Sequence, residues 1–224
     1  MFIVIGGQKG GTGKTTIATN IATMRTLEGR DVYLYDLDPQ RSALLWSSRR
    51  AENTDLPAVK SGQMVFDKQA VNIGAVIENE LKNLRDKHQD IIVDAGGADS
   101  EELRAALLLA DLVIFPIGPS AYDMWTLPTL SKLVSGAENC TGALKAKVLL
   151  NRVNTNSVVA RGQIKNCDDY LANLNNLSRF NNFLSERVAV QYISDEGMAI
   201  VEYKQTSSKA SEEFKSVYKE IFNV

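Results

Sequence analysis

Residues Gly6-Gly7-Gln8-Lys9-Gly10-Gly11-Thr12-Gly13-Lys14-Thr15-Thr16 have the composition and order needed to grip a phosphate. They follow an apolar run, Phe2-Ile3-Val4-Ile5, and lead into a segment with Ile17, Ile21, Met24 and Leu27 at helical spacing. In the order strand, glycine-rich loop, Lys-Thr, helix, backbone N–H groups and a helix N-terminus converge on an anion. Lys14 then supplies a positive charge, the Thr15 hydroxyl is a Mg²⁺ ligand, and Gly10, Gly11, Thr12, Gly13 and Thr16 surround the phosphates. Glycine permits the close backbone approach and positive φ that such a loop demands. The plainer alternative is a glycine-rich turn that only starts a helix.

A second lysine, Lys9, stands five residues before Lys14. A phosphate loop has no need of it, and burying another cation without a compensating anion is costly. Lys9 is therefore read as pointing outward, either simply solvated or within reach of the phosphates of a second nucleotide. The stretch Lys9-Gly10-Gly11-Thr12-Gly13-Lys14-Thr15-Thr16 resembles the deviant Walker A signature of the ParA/MinD group of ATPases. The resemblance implies a homodimer closed over two ATP molecules, in which Lys9 of each subunit crosses to its partner's nucleotide.

Three further strand-like runs end in carboxylates or an amide. Asp31-Val32-Tyr33-Leu34-Tyr35-Asp36 leads into Asp36-Leu37-Asp38-Pro39-Gln40; Ile91-Ile92-Val93 ends in Asp94; Ala146-Lys147-Val148-Leu149-Leu150 ends in Asn151. In an open parallel sheet, ligands bind beyond the carboxyl ends of the strands, where these residues fall. The run ending in Asp94 has a Walker B pattern, with the carboxylate holding Mg²⁺ through water. Asp36 is placed to order the metal's water shell and Asp38 to orient an attacking water, or alternatively to cap the next helix. The resemblance gives the matching DxD pair the same roles, and the Asp-Leu-Asp-Pro-Gln form is similar to the partition ATPases. Asn151-Arg152-Val153-Asn154 lacks the carboxylate of a guanine-reading Asn-Lys-x-Asp, and an amide both donates to and accepts from adenine. ATP is favoured over GTP, with Asn151 and Arg152 as base-pocket candidates. Ala95-Gly96-Gly97 departs from the family's commonest Asp-Thr-Pro-Pro and reads as a segment reordered by the γ-phosphate.

The elements that must position these residues alternate between apolar strand runs and amphipathic helical segments. The fold class is α/β, a mostly parallel sheet with helices on both faces, as one P-loop ATPase domain spanning residues 1–224. Helices are read from Lys14 to about Glu28, around Leu44-Leu45-Trp46, from Val71 to about Lys87, from Ser100, from Ser120 with Asp123 as a cap, from Ser157, and over Phe214–Phe222. Short strands are read near Met64–Phe66 and at Val188-Ala189-Val190. At 44% hydrophobic and 23% charged the composition is that of a globular chain. Cys140 and Cys167 form no CxxC pair and His88 is the sole histidine, which excludes a disulfide framework and a His-rich metal site.

A net charge of −2 gives no global attraction to DNA, so any DNA grip must come from a local patch. Arg152, Arg161, Lys165, Arg179, Arg187, Lys204 and Lys209 are the candidates, each also readable as a solvated charge. Arg187 fits best, because Glu186-Arg187-Val188-Ala189-Val190 is similar to the family's DNA-contacting region. The resemblance, which extends to Asp195-Glu196-Gly197, implies ATP-dependent dimerisation and slow hydrolysis stimulated by a partner such as a centromere-binding, ParB-like adaptor. It also implies nonspecific DNA binding in the ATP state; with the first sheet strand at the start of the sequence, no N-terminal helix-turn-helix is expected. The expected location is cytoplasmic, nucleoid-associated when ATP is bound, and no membrane attachment is expected. A MinD-like membrane helix is disfavoured because Glu212, Glu213 and Glu220 offset Lys215 and Lys219. A positioner of different cargo and an ATP-dependent metabolic ligase on the same fold are the two rival functions.

Overall fold

In the computed structural model, which describes residues 1–63, 72–97, 99–203 and 208–224, chain order is close to strict alternation. The strands are β1 (Phe2–Ile5), β2 (Val32–Asp36), β3 (Lys60–Gly62), β4 (Asp90–Asp94), β5 (Leu112–Ile117), β6 (Ala146–Leu150) and β7 (Ser178–Arg179). The helices are α1 (Lys14–Leu27), α2 (Ser42–Glu52), α3 (Ile73–Lys87), α4 (Glu101–Leu107), α5 (Ala121–Met124), α6 (Leu127–Thr141), α7 (Ser157–Leu171), α8 (Val188–Asp195) and α9 (Ser208–Phe222). Among the described residues the strands form one sheet in the order β3-β2-β4-β1-β5-β6-β7, with every pairing parallel. The order reverses direction at β1, so the loop after it opens at a topological switch point.

Side-chain alternation along each strand feeds two cores. In β1, Phe2 and Val4 join the core that includes Leu81, Leu103, Leu130 and Cys167, under α3, α4, α6 and α7. Ile3 and Ile5 join the opposite core with Ile17, Trp46, Ile193 and Phe214, under α1, α2, α8 and α9. Phe214, Val217, Tyr218 and Ile221 are all buried, so the apolar face of α9 docks on this layer. No helix of the described residues is long and apolar enough to cross a membrane.

Two elements differ from the sequence reading. Val188-Ala189-Val190 is the first turn of helix α8 and not a strand. Its β-formers favour extended chain, but Ala189, Val190 and Ile193 at helical spacing bury against the second core, and that packing overrides local preference. The two-residue β7 gave no sequence signal; Phe180 N–H donates to Val148 O at 2.9 Å and closes the sheet edge there. The expected strand near Met64–Phe66 and the helix start at Val71 lie outside the described residues, while Lys60–Gly62 supplies the strand that flanks β2.

The base of the sheet is tied by a charge cluster. Asp90 is buried and meets the N-terminal ammonium at 2.9 Å, Arg25 Nε at 3.0 Å and Arg30 Nε at 3.3 Å. Burial alone would raise its pKa, but the ammonium, Arg25 and Arg30 outweigh it and hold the carboxyl below its ordinary 3.8. A depressed carboxyl contributes stability that is present above the unfolded value and lost as pH falls through the folded one. Asp90→Asn is expected to lower unfolding free energy at neutral pH by about 2–4 kcal/mol. In urea melts across pH, the two proteins should converge as the wild type is acidified below about pH 4.

Candidate functional site: a nucleotide cradle

Beyond Ile5 the chain turns away from the sheet, with Gly6 N–H donating to Ile114 O at 3.1 Å. Gly11 (φ 72°) and Gly13 (φ 95°) occupy the left-handed region, and Gly13 is the N-cap of α1. A Cβ on Gly13 would stand 2.3 Å from Asn151 Nδ2, so this position has neither the dihedral nor the room for a side chain. No side chain caps α1 and no acid lies in its first turn. Its first N–H groups are therefore left for an outside anion, the arrangement of a phosphate cradle. They face a cleft of about 940 Å³ lined by Gly10, Gly11, Gly13, Lys14, Thr15, Thr16, Asp38, Gly97 and Arg152.

Lys14 lies beneath this loop, 6% exposed, and its Nζ donates to Lys9 O at 2.9 Å. Burial lowers its pKa, with Asp94 and then Asp38 opposing. Asp94, fully buried at the end of β4, accepts from Thr15 Oγ1 at 2.6 Å through Oδ2. Burial pushes its carboxyl up to about 7, Asp36 and Asp38 adding to the rise and Thr15 and Lys14 resisting it. Its other oxygen, Oδ1, is buried without a hydrogen-bond partner. A buried, unpartnered carboxylate oxygen beside a threonine hydroxyl is a hard-oxygen donor set that fits Mg²⁺.

Asp36 is buried, and its two oxygens accept from Asp38 N at 2.9 Å and Leu44 N at 3.0 Å. Burial raises its pKa while these backbone bonds lower it. Asp36 thereby also anchors the β2–α2 turn and caps α2. Asp38, carried on that turn, is half-buried and lines the cleft, with Oδ1 accepting from Gln40 N at 2.9 Å. From α2 the residues Ser42, Leu45, Trp46 and Arg49, spaced as one helix face, complete that wall. Arg49 was missed from sequence, although that spacing after the Asp-Leu-Asp-Pro-Gln turn was the available signal. Trp46 is 5% exposed and donates to Met198 O, in keeping with a packing role.

Asn151 Nδ2 donates to Thr12 O at 2.8 Å and its Oδ1 accepts from Arg152 N at 2.9 Å. The amide ties β6 to the phosphate loop. Arg152, exposed at φ 58°, stands at the cleft's edge. Lys9 also differs from its reading as an outward lysine. Its side chain folds back onto its own subunit, with Nζ donating to Tyr122 O at 2.6 Å and 3.3 Å from Asp123 Oδ1. Asp123 is accordingly both part of the α5 cap and a neighbour of the site.

The loop after Asp94 packs on the front of the phosphate loop. A Cβ on Gly97 would lie 3.0 Å from Gly10 N and Lys9 C, whereas one on Gly96 would find ordinary contacts at 3.6 Å or more. Gly97→Ala is expected to push Lys9–Gly10 out of place and weaken nucleotide binding about tenfold, equivalent to about 1.4 kcal/mol. Gly96→Ala should bind as the wild type does; calorimetric titration with a slowly hydrolysed ATP analogue compares them.

Three of the seven basic candidates for DNA are paired. Arg187 is bound to Glu213 at 2.6 Å with its side chain 19% exposed, Lys165 to Asp169 at 2.6 Å, and Arg179 to Asp168 at 2.8 Å. Arg187 would have to leave Glu213 to meet a DNA phosphate. Arg152, Arg161 and Lys209 are exposed, and Lys204 lies outside the described residues.

A model of the CobQ/CobB/MinD/ParA nucleotide binding domain matches residues 3–213. The chain is 28% identical over 162 residues to the maintenance of carboxysome distribution protein A of Halothiobacillus neapolitanus, covering 71% of this chain and 69% of that one. It is 29% identical over 125 residues to protein ParA of Rhizobium radiobacter, covering 54% and 50%. In fold it is similar to a putative plasmid partition protein from Borrelia burgdorferi bound to AMPPNP, with a TM-score of 0.74, 17% identity and coverage of 99% and 98%.

Proposed function

The chain belongs to the CobQ/CobB/MinD/ParA nucleotide-binding domain family and is a P-loop ATPase, and on that premise we propose that it is a dimerising ATPase of the ParA type that partitions or positions a cargo along DNA. The observation that carries this reading is the pair of lysines on one loop: Lys14 buried in the anion cradle, Lys9 at its partly exposed rim. A single-nucleotide cradle uses only the first. Residues 1–224 act as one domain.

In this reading the N–H groups of Gly10 through Thr16 and the Lys14 ammonium bind the phosphates of ATP. Thr15 and Asp94 would hold Mg²⁺, which supplies charge neutralisation at the phosphates when bound. Asp38 orients water for attack on the γ-phosphorus, and the bond to the β-phosphate oxygen breaks to leave ADP and phosphate. Lys9 of the partner subunit completes the site. Asp36 sets the position of Asp38, and Asn151 the shape of the loop, with Arg152 beside the base. Because ATP binds the dimer better than the monomer, hydrolysis undoes the dimer, and a ParB-like adaptor stimulates that step.

The cargo is a plasmid, a chromosome or a protein body; relatives named for carboxysome distribution and for ParA support a positioning role without choosing between them. DNA is gripped through phosphates without sequence preference, by basic residues including Arg161 and Lys209 doubled across the dimer, which puts the ATP form on the nucleoid. With its apolar face buried, α9 is not itself a MinD-like membrane anchor. Co-sedimentation with random-sequence DNA tests the DNA reading. Retention with a slowly hydrolysed ATP analogue and Mg²⁺, lost with ADP or rising salt and weakened by Arg161→Glu, is the expected result. Equal retention with ADP, or none at low salt, would overturn it.

A further inference from the structure

Beside the phosphate loop, a second cavity of about 110 Å³ adjoins the main cleft at Thr16 and Arg152, which line both. Ile17, Val190 and Phe214 line it as apolar residues, and Asn151, Ser185 and Gln191 as polar ones. Apolar walls with a few placed polar groups suit a heterocyclic ring. Thr16 stands in the first turn of α1, at the junction of this slot with the phosphate cradle. A nucleotide whose phosphates fill the cradle can therefore turn its base into the slot.

One wall, the loop from Leu184 to Arg187, is held from two sides. On one, Val153 N–H donates to Leu184 O at 3.0 Å and Glu186 N–H donates to Val153 O at 2.9 Å. On the other, Glu213 of α9 accepts four bonds. They come from Ser185 N at 3.0 Å, Ser185 Oγ at 2.8 Å, Arg187 Nη2 at 2.6 Å and Arg187 Nε at 3.3 Å. Burial alone would raise the pKa of Glu213. The Arg187 bond, then the Ser185 N–H and hydroxyl, outweigh it and hold the carboxyl below its ordinary 4.5. An ionised acceptor binds these donors more strongly than a neutral one, so the loop's shape depends on this one side chain. We propose that Glu213 is the positioning residue for the nucleotide's base, setting from α9 the wall of the slot that takes adenine. The role rests on ATP as the nucleotide and not on the dimer or the trans lysine.

Glu213→Gln keeps the size of the side chain and removes its charge. ADP and pyrophosphate, each with Mg²⁺, separate the slot from the cradle, because both offer phosphates and only ADP carries a base. In calorimetric titrations the variant's dissociation constant for ADP is expected to rise about tenfold, while that for pyrophosphate stays within about twofold. Ser185→Ala, which removes one bond of the four and is the milder change for folding, should weaken ADP alone by about threefold. In steady-state hydrolysis Glu213→Gln should raise KM and leave kcat unchanged, as expected for a loss of uniform binding. An equal loss for ADP and pyrophosphate, unchanged ADP binding in both variants, or a wild type that binds pyrophosphate as tightly as ADP would overturn the role. A strictly monomeric ATP form would instead remove the proposed dimer and leave these titrations as they stand.

Discussion

Lys14→Ala is expected to abolish detectable nucleotide binding, whereas Lys9→Ala should still bind ATP yet lose hydrolysis by a factor of about 100 or more. The difference follows from where the two ammonium groups sit. Lys14 is buried below the loop, within the field of Asp94 and Asp38, and removing it leaves those carboxylates without the nearest cation in the cradle. Phosphates would then approach two acids unscreened, which makes the ground-state complex unfavourable. Lys9 touches neither acid; its partners are Tyr122 and Asp123, on the far side of the loop. Its loss leaves the cradle intact and, on the proposed reading, removes a charge that acts only once two subunits have met. Equilibrium binding of a fluorescent ATP analogue and steady-state phosphate release separate the two variants. Phosphate release should be lost in both, so equal nucleotide binding by the two variants, or wild-type phosphate release by Lys9→Ala, contradicts the division of labour.

The second large effect is on stability. Arg50, 1% exposed, donates to Pro57 O at 2.7 Å and Gly197 O at 3.0 Å, and makes two bonds of 2.7 and 2.8 Å to the Glu202 carboxylate. Its guanidinium also lies 5.4 Å from the Trp46 ring. One side chain thus ties α2 to the segment between α8 and α9, and α2 carries the cleft wall that includes Trp46 and Arg49. Gly197 must be glycine here, since its φ is 63° and a Cβ would stand 2.3 Å from Arg50 N. Arg50→Ala strands a nearly buried carboxylate and two carbonyls, at an expected cost of about 3–5 kcal/mol. For a chain of this size that corresponds to a fall in melting temperature of about 10 °C. The double variant Arg50→Met with Glu202→Leu should recover much of the loss, because an apolar pair leaves no buried charge unpaired. Differential scanning calorimetry of the three proteins measures it.

The parts of this molecule that can be read from sequence are those set by neighbours in the chain. The phosphate loop lies between β1 and α1 as its glycines require, and Asp38 and Asp94 stand at strand ends because apolar runs deliver them there. Contacts across the sheet were not legible. Glu213 neutralises Arg187 from 26 residues away, and Asp123 meets Lys9 across 114. Asn151 supports Thr12 from 139 residues away. The side chain was foreseen at the site, but its hydrogen bonds depend on the order in which strands lie side by side. Asp36 shows the limit most clearly. Its type and place were legible, but not that the tight β2–α2 turn brings two backbone N–H groups to its oxygens.

Mixing two inactive variants tests the shared site most directly. Asp38→Ala cannot orient water in its own cleft but keeps Lys9; Lys9→Ala keeps Asp38 but has no lysine to lend. In a mixed dimer the Asp38→Ala subunit's Lys9 reaches the intact cleft of the other, so hydrolysis should reappear on mixing, rise with the mixed fraction, and vanish when both changes are in one chain. A mixture as inactive as its separate components, or a Lys9→Ala protein that hydrolyses ATP at the wild-type rate alone, would contradict a lysine that works across the dimer.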